Sequence, residues 1–336
     1  VTFFEPDGRG GYNALALGDR LPFAQRPVRD RDFVFPLRVA PEPTVYYLRV
    51  RTTSALFVQA RLWQREGLRD ARTVDDVSIG LVLGAIGVMF LFNLIFWAWF
   101  RERVQIYYAA YLATLAAHLV FVGGYAARWL FPQQPWLADH GVGVIIGLNC
   151  AAAIAFASHA LELRKLLPLV WRVYQALFFM FVGVVVAALM GQYGRVVALT
   201  NWGALTISSM GVLLPAILLW RGHRRNLIYL LAFVVFALGN LPASLRIQAV
   251  SQMDSFADTV MRIGTVLHLV LLNVALVARV RESERNYRRE RREALEAALE
   301  AEREMEQKVA QRTHLLQQEV ERRGLLESQL REALHT

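Results

Sequence analysis

The sequence is poor in cysteine throughout and poor in charge along its middle. Cys150 is the only cysteine among 336 residues, which excludes a disulfide within the chain and a metal site built from cysteines. Residues 77–280 carry only 18 charged side chains in 204 positions, too few for the surface of a soluble domain. Val1 is followed by neither a basic segment nor a cleavable apolar core, so we expect no secretory signal within residues 1–336.

What is present indicates a membrane protein. The chain is 55% hydrophobic, and its mean hydropathy is positive. The net charge is +9, yet residues 1–76 hold 12 basic and 10 acidic side chains and residues 281–336 hold 12 and 13. The basic excess therefore lies in the apolar middle, at the edges of the apolar stretches. This placement indicates membrane topology, and we expect no nucleic-acid partner.

Seven apolar stretches are each long enough to cross a hydrocarbon core of about 30 Å as a helix. They are Val77–Phe100, Val104–Ala127, Gly141–Leu161, Val173–Tyr193, Val196–Trp220, Asn226–Leu245 and Phe256–Ala278. We predict a mainly α-helical membrane protein whose seven-helix bundle occupies residues 77–280, with the lipid bilayer as a partner. Small residues are expected to let the helices approach closely at Gly84, Gly87, Gly183 and Gly203.

Flanking basic residues predict the orientation of this bundle. One set of helix ends carries nine of them: Arg101, Arg103, Arg164, Lys165, Arg172, Arg221, Arg224, Arg225 and Arg279. The other set carries Arg128, Arg195, Arg246 and Arg262. The richer set is expected in the cytoplasm, which places residues 1–76 outside and residues 281–336 inside. Because the N-terminal part must reach the outer side, we expect the natural protein to begin further upstream.

Residues 1–76 are expected to form a β-rich outer module. Phe33–Val39 and Thr44–Thr52 are rich in β-branched and aromatic residues, and Ala55–Leu62 offers a third strand. So few strands would make a marginal core, which favours the second half of a larger antiparallel sandwich. Tyr46 and Trp63 are candidates for contact with a ligand.

The last 56 residues are highly charged and contain no proline. Of these residues, 25 are charged, and Gly324 is the only glycine. Apolar residues such as Met305, Val309 and Leu316 follow an imperfect alternating three-four spacing. A lone helix this polar has little to stabilise it, so we predict a parallel coiled coil with a second copy of the chain. A single charged helix and a disordered tail are the alternatives.

Short motifs along the chain resemble one bacterial receptor family. Gly18–Pro27, with Phe33–Pro36 and Tyr47–Val50, is similar to the end of the type 2 extracellular domain of the seven-transmembrane receptors with diverse intracellular signalling modules, the 7TMR-DISM family. Further matches in the bundle and in the tail are Gly80–Gly84, Met89–Asn93, Ile106–Tyr111, Gly123–Gly124, Trp129–Pro132 and Val309–Thr313.

This resemblance implies a jelly-roll-like outer domain that binds carbohydrate or another small molecule. It also implies an output domain, usually a diguanylate cyclase of the GGDEF type or a histidine kinase, which we expect beyond residue 336. Leu330–Thr336 resembles the segment that leads into a GGDEF domain and favours the cyclase. His314 lacks the acidic residue and the Arg-Thr-Pro sequence that usually follow a phosphoacceptor histidine.

Residues between the last two spans are candidates for passing a signal inward. Arg246, Asp254, Asp258 and Arg262 bracket the short outer loop there. They are expected either to form interfacial ion pairs or to contact the outer module and pass its state to the seventh helix. Farther along that helix, the same role falls to the coiled-coil positions Met305, Val309 and Leu316.

Ionisable residues within the spans are functional candidates by default. We expect His118 to be a buried, hydrogen-bonded side chain, and we expect water at the interface to satisfy His159 and Glu162. Five asparagines are expected to support helix packing, namely Asn93, Asn149, Asn201, Asn240 and Asn273. The sequence shows no Gly-rich phosphate loop, no paired catalytic carboxylates and no zinc-type spacing, so we expect no catalytic, cofactor or metal site.

These features favour the sensory and transmembrane part of a signalling receptor. A transporter with a regulatory tail would be expected to show broken helices, midplane charges and internal repeats, none of which the sequence suggests. An integral-membrane enzyme would need acidic or histidine side chains clustered at one membrane face. His159 and Glu162 alone do not supply such a cluster.

Overall fold

The computed structural model describes residues 1–39, 42–52, 58, 60–247 and 254–335, with the side chains of 242–247, 254–257 and 328–335 outside the description. Contacts divide the chain into two compact units, Val1–Val277 and Ala278–Thr336. The first unit contains a small sheet and the helices of the bundle. The second unit is helical.

The outer module contains one antiparallel sheet of three strands. Its strands are β1 (Thr2–Pro6), β2 (Tyr12–Ala16) and β3 (Tyr47–Arg49), in the order β2-β1-β3. Phe3 lies opposite Leu15 and Leu48, and its ring stacks on Tyr46 at 5.7 Å and contacts Phe35 at 5.2 Å. These rings cover one face of the sheet.

One sequence prediction for this module is wrong, and two of its strands were missed. Residues 33–39 form no regular strand, because Pro36 has no N–H to donate and Phe35 packs against the sheet instead of joining it. Strands β1 and β2 were not predicted at all. The predicted third strand, Ala55–Leu62, lies largely outside the described residues.

Eight α-helices follow the sheet in the described chain. They are α1 (Arg65–Phe100), α2 (Arg103–Val122), α3 (Pro135–Ala160), α4 (Leu163–Leu166), α5 (Pro168–Leu189), α6 (Tyr193–Trp220), α7 (Asn226–Ile247) and α8 (Asp254–His335). Six of them are long and apolar enough to cross a membrane: α1, α2, α3, α5, α6 and α8. In α7 the apolar part with described side chains, Asn226–Leu241, is shorter.

The helix boundaries refine two predictions. Helix α1 begins at Arg65, so residues 65–76, which were assigned to the outer module, form the start of the first membrane helix. Helix α2 ends at Val122 instead of Ala127, because Gly124 takes a positive φ of 75° and a single π-helical turn, Ala126–Leu130, follows.

The core of the bundle combines apolar and aromatic side chains from most of its helices. Fully buried members include Ile86, Leu112, Phe156, Phe181, Leu218 and Leu269. Many other apolar side chains of the bundle face outward, as expected of helices whose solvent is lipid.

Close approach at glycine occurs at only one of the four predicted positions. A Cβ on Gly203 would lie 2.5 Å from Met180 Cε and 2.9 Å from Phe181 Cζ. A Cβ on Gly84, Gly87 or Gly183 would meet nothing within 4 Å. The prediction is therefore wrong for those three, which face outward or into open space.

This contrast predicts different costs for two glycine-to-alanine variants. Gly183→Ala should stabilise the protein by about 0.5 kcal/mol or slightly more, since alanine favours helix at no steric cost. In Gly203→Ala the crowding against Met180 and Phe181 should more than cancel that gain, leaving this variant about 1 kcal/mol less stable than Gly183→Ala. Denaturant titration in detergent micelles measures the difference, and equal stabilities would contradict the packing described here.

The second unit contains one helical segment. From Arg281 to Glu327 every described side chain is exposed. Ion pairs one turn apart support the helix, including Arg289–Glu293 at 2.9 Å and Arg288–Glu284 at 3.1 Å. Met305, Val309 and Leu316 are all exposed on this helix, and no other described residue covers their side chains.

Candidate signal-transmission site

A short segment of the outer module, residues 24–32, packs on one end of the bundle. We call this end the module side and the opposite end the far side. Ala24 N–H donates to the carbonyl of Pro132, in the connection between α2 and α3, at 3.3 Å. The backbone of Gly124 also lies against Arg31, since a Cβ there would come 3.3 Å from the Arg31 carbonyl oxygen. The module thus contacts the bundle through backbone as well as side chains.

Arg26 fixes the shape of this segment. Its guanidinium lies between the rings of Phe23 and Phe33, 4.8 Å from each centroid, and Nη1 donates to the carbonyls of Asp30 at 2.8 Å and Arg31 at 3.0 Å. Burial lowers the pKa of Arg26, and nearby acidic groups, led by Asp19, oppose that shift. By holding these two carbonyls, Arg26 directs the Arg31 side chain towards the bundle.

Asp75, at the module side of α1, is the centre of the contact. Its Oδ2 accepts a hydrogen bond from Arg31 Nη2 at 2.7 Å, and its Oδ1 accepts one from Arg262 Nη2 at 3.1 Å. Arg72 Nη1 lies 3.5 Å from Oδ2. The side chains of Arg31 and Arg262 are only 15% and 16% exposed, so water screens these pairs less than it screens surface ion pairs.

Arg72 extends this contact back to the outer module. Its Nε donates to Asp30 Oδ2 at 2.9 Å, and its Nη2 contacts Asp32 Oδ2. We call the six side chains Arg31, Arg72, Arg262, Asp30, Asp32 and Asp75 the junction network. It contains three formal positive and three formal negative charges, so removal of any member except the exposed Asp32 leaves a charge imbalance in a partly buried place.

Two further contacts border the junction network. Arg31 Nη1 donates to the hydroxyl of Tyr125 at 3.1 Å, and its guanidinium lies 5.1 Å from the centre of that ring. Arg128 binds Asp76, the residue next to Asp75, at 3.0 Å. Asp75 therefore contacts the outer module and α8, whereas Asp76 pairs with the segment that follows α2.

A second polar cluster lies deeper in the bundle, towards the far side. Asn93 Nδ2 donates to Asn273 Oδ1 at 2.7 Å, and Asn273 Nδ2 donates to the Tyr108 hydroxyl at 3.1 Å. That hydroxyl in turn donates to the Leu269 carbonyl at 2.9 Å. These bonds join α1, α2 and α8, and we call Asn93, Tyr108 and Asn273 the inner polar cluster.

A buried histidine adds a contact between α7 and α8. His268 Nδ1 lies 2.8 Å from the carbonyl oxygen of Ala232, between the rings of Phe233 and Phe236. A carbonyl can only accept, so this nitrogen carries the proton. Helix α8 therefore makes polar contacts with α1, α2 and α7, as well as with the outer module through Asp75.

The structure describes some of the residues named for signal transmission. Arg262 contacts Asp75, and Asp258 is half-buried one turn earlier in α8. The side chains of Arg246 and Asp254 lie outside the described residues. Tyr46 is half-buried beneath Phe3 and donates to the Arg38 carbonyl, whereas Trp63 is 45% exposed.

The remaining ionisable residues of the bundle have local partners. Glu162 pairs with Arg225 at 3.0 Å on the far side, and the ring of His159 stacks on Tyr107 at 3.9 Å. His118 is half-buried, and its Nδ1 has no hydrogen-bond partner among the described residues, unlike the bonded histidine that the sequence suggested. Within the described part of the chain, no three His, Cys, Asp or Glu side chains group as metal ligands would.

The sequence predictions did not include several residues of the junction network, nor the buried His268. Arg31 and Asp75 look like ordinary surface charges in the sequence. Arg31 is 44 positions from Asp75 and Arg262 is 187 positions from it, so no local pattern indicates that the two arginines share its carboxylate. His268 could have been found, because it is an ionisable residue inside the seventh predicted span. Asn93 and Asn273 were assigned to helix packing, and the structure pairs them with each other.

The apolar helices, the outer sheet and the ionic junction between them define a multi-pass membrane protein with an extracytoplasmic module. Residues 76–279 match the family model described as 7TM diverse intracellular signalling, and residues 1–64 match the one described as 7TMR-DISM extracellular 2. The chain belongs to the 7TMR-DISM family of seven-transmembrane signalling proteins. Neither a curated protein nor a solved structure matches it.

Proposed function

We propose that the protein is a receptor that senses a small molecule through its outer module and passes the signal through the bundle to a cytoplasmic output domain. One observation carries this proposal. Asp75 is shared between Arg31 of the outer module and Arg262 of α8, so a movement of the module changes the charge environment of the seventh span. Asp75 is therefore the point at which a ligand-induced change enters the bundle.

The proposed direction of signalling rests on charge. Nine basic residues flank the far-side ends of the apolar stretches and four flank the module-side ends, which supports a cytoplasmic far side. The resemblance to bacterial receptors supports location in the inner membrane. Helix α8 spans Asp254–His335, and the proposal is that a rotation or shift of its first part is passed on to the tail.

The tail is proposed to act as a parallel dimer of two copies. Its exposed apolar residues, including Met305, Val309 and Leu316, follow a three-four spacing that a second copy would bury. The output is proposed to be a diguanylate cyclase, with a histidine kinase as the alternative. The ligand is proposed to be a carbohydrate or another small molecule, for which Trp63 offers an exposed ring and Tyr46 a half-buried one.

Energetics limit how such a ligand can act. It must bind one of the two bundle states more tightly than the other, since equal affinity shifts nothing. A change from 1:99 to 99:1 requires a difference of about 5.5 kcal/mol. The junction network is the proposed source of part of that difference.

Cysteine cross-linking tests the proposed dimer. In a Cys150→Ala background, Val309→Cys and Leu316→Cys should form intermolecular disulfides in membranes several times faster than Gln307→Cys, which lies between two spaced apolar positions. Oxidised samples are compared on non-reducing gels over time. Equal rates at the three positions, or monomers throughout, would contradict the coiled coil.

A further inference from the structure

Helices α7 and α8 touch through two glycines. A Cβ on Gly264 would lie 2.8 Å from Gly239 Cα, and a Cβ on Gly239 would lie 3.0 Å from Gly264 Cα. The Cβ on Gly264 would also lie 3.5 Å from the carbonyl oxygen of Val235, and the Cβ on Gly239 would lie 3.5 Å from that of Val260. Each of these carbonyls belongs to the opposite helix, one turn before its glycine. The two backbones are therefore in contact with no side chain between them.

Polar contacts of α8 lie on both sides of this glycine contact. Arg262, two residues towards the module side, binds Asp75. His268 and Asn273, four and nine residues towards the far side, bind Ala232 O and the inner polar cluster. At 1.5 Å per residue, Arg262 is about 3 Å and Asn273 about 13 Å from the contact along the helix axis.

This arrangement favours tilting over sliding. A slide of α8 along α7 would move the glycines apart and bring side chains into a gap that has no room for a Cβ. A tilt about the glycine contact keeps the two backbones together. It also converts a small movement at Arg262 into a larger one at Asn273, because the arm on the far side is longer.

We propose that the Gly239–Gly264 contact is the pivot on which the seventh span tilts between two positions. This inference rests on the proposed function, in which the junction network drives α8. Release of Arg262 from Asp75 lets the module side of α8 move, and the far side swings against the inner polar cluster. The Gly239–Gly264 contact thus has a mechanical role, although neither glycine lies in the outer module or in the tail.

Distances between spin labels test the pivot directly. Two pairs of exposed positions are labelled in the full chain in lipid nanodiscs, in a Cys150→Ala background: Leu238 with Ile263, beside the glycines, and Leu227 with Val274, near the far side. Asp75→Asn serves as the stimulus, because it removes the charge that holds Arg262. A tilt should change the far-side distance by about 2 Å and leave the pair beside the glycines within about 0.5 Å. Equal changes in both pairs would indicate sliding and overturn the pivot.

A glycine variant with a matched control completes the test. Gly264→Ala should separate α7 from α8 and remove the far-side distance change that Asp75→Asn causes, whereas Gly183→Ala, with nothing within 4 Å, should preserve it. Persistence of the change in Gly264→Ala would overturn the pivot. Disulfide formation at Val309→Cys is followed in parallel. If Asp75→Asn alters the rate of disulfide formation while both distances stay fixed, the pivot is wrong and the proposed receptor function is supported. If neither the rate nor the distances change, both the pivot and the proposed function are contradicted.

Discussion

Asp75→Asn is expected to be the most damaging single substitution in the junction network. An asparagine keeps the shape but removes the charge that Arg31, Arg72 and Arg262 share. Three guanidinium groups then face one another with only Asp30 and Asp32 to balance them. Because the carboxylate is 29% exposed, we discount the cost of breaking a fully buried pair and expect a loss of about 2 kcal/mol in the free energy of unfolding.

The neighbouring residue provides the control. Asp76 has almost the same exposure, 31%, but pairs with one arginine, Arg128. Asp76→Asn should therefore cost about 0.5 kcal/mol, as isolated ion pairs near the surface do. Thermal unfolding in nanodiscs gives the stabilities, and hydrogen exchange over residues 26–32 should rise in Asp75→Asn alone. Similar losses in the two variants would show that Asp75 is an ordinary surface charge.

Sharing of one carboxylate also predicts non-additive effects. Arg31→Gln and Arg262→Gln each remove one partner of Asp75, and the second substitution acts on a carboxylate already changed by the first. We expect a coupling energy of about 1 kcal/mol in the double-mutant cycle, although one residue lies in the outer module and the other in α8. The pair Arg31→Gln and Arg225→Gln, in which the second residue binds Glu162, should be additive.

The helical part of the fold could be predicted from the sequence, because hydropathy is a local property. Each predicted span coincides largely with one helix, and the first helix extends beyond its span only where charged residues begin. The outer module was harder. Phe33–Val39 has strand-like composition, but Pro36 cannot join a ladder, and the pairing of β1 with β3 joins residues more than 40 positions apart.

The candidate site was predicted only in part, and for the same reason. Arg262 was a candidate because it borders the short outer loop between the last two spans. Its partner Asp75 lies in an acidic pair before the first span, where any charge is unremarkable. Ion pairs across the fold leave no local signal in the sequence, so the junction network could be recognised only once the helices had been placed.

The second prediction with a large expected effect concerns the inner polar cluster. It compares two tyrosines that look alike in the sequence. Tyr108 and Tyr174 are both buried within spans, and their hydroxyl groups differ only in their partners. The Tyr108 hydroxyl makes two hydrogen bonds, to Asn273 and to the Leu269 carbonyl. The Tyr174 hydroxyl has no hydrogen-bond partner among the residues that the structure describes.

Removal of the two hydroxyl groups should therefore have different effects on stability. Tyr108→Phe should cost about 1 kcal/mol, since interhelical hydrogen bonds in membranes are worth roughly that much. Tyr174→Phe should be neutral or stabilise the protein by up to about 1 kcal/mol, because it removes a polar group whose burial is not compensated. The difference of up to about 2 kcal/mol is measurable by denaturant titration. If α8 depends on the inner polar cluster for its position, Tyr108→Phe should also alter the Leu227–Val274 distance and Tyr174→Phe should not; equal behaviour of the two variants would mean that the cluster only fills space.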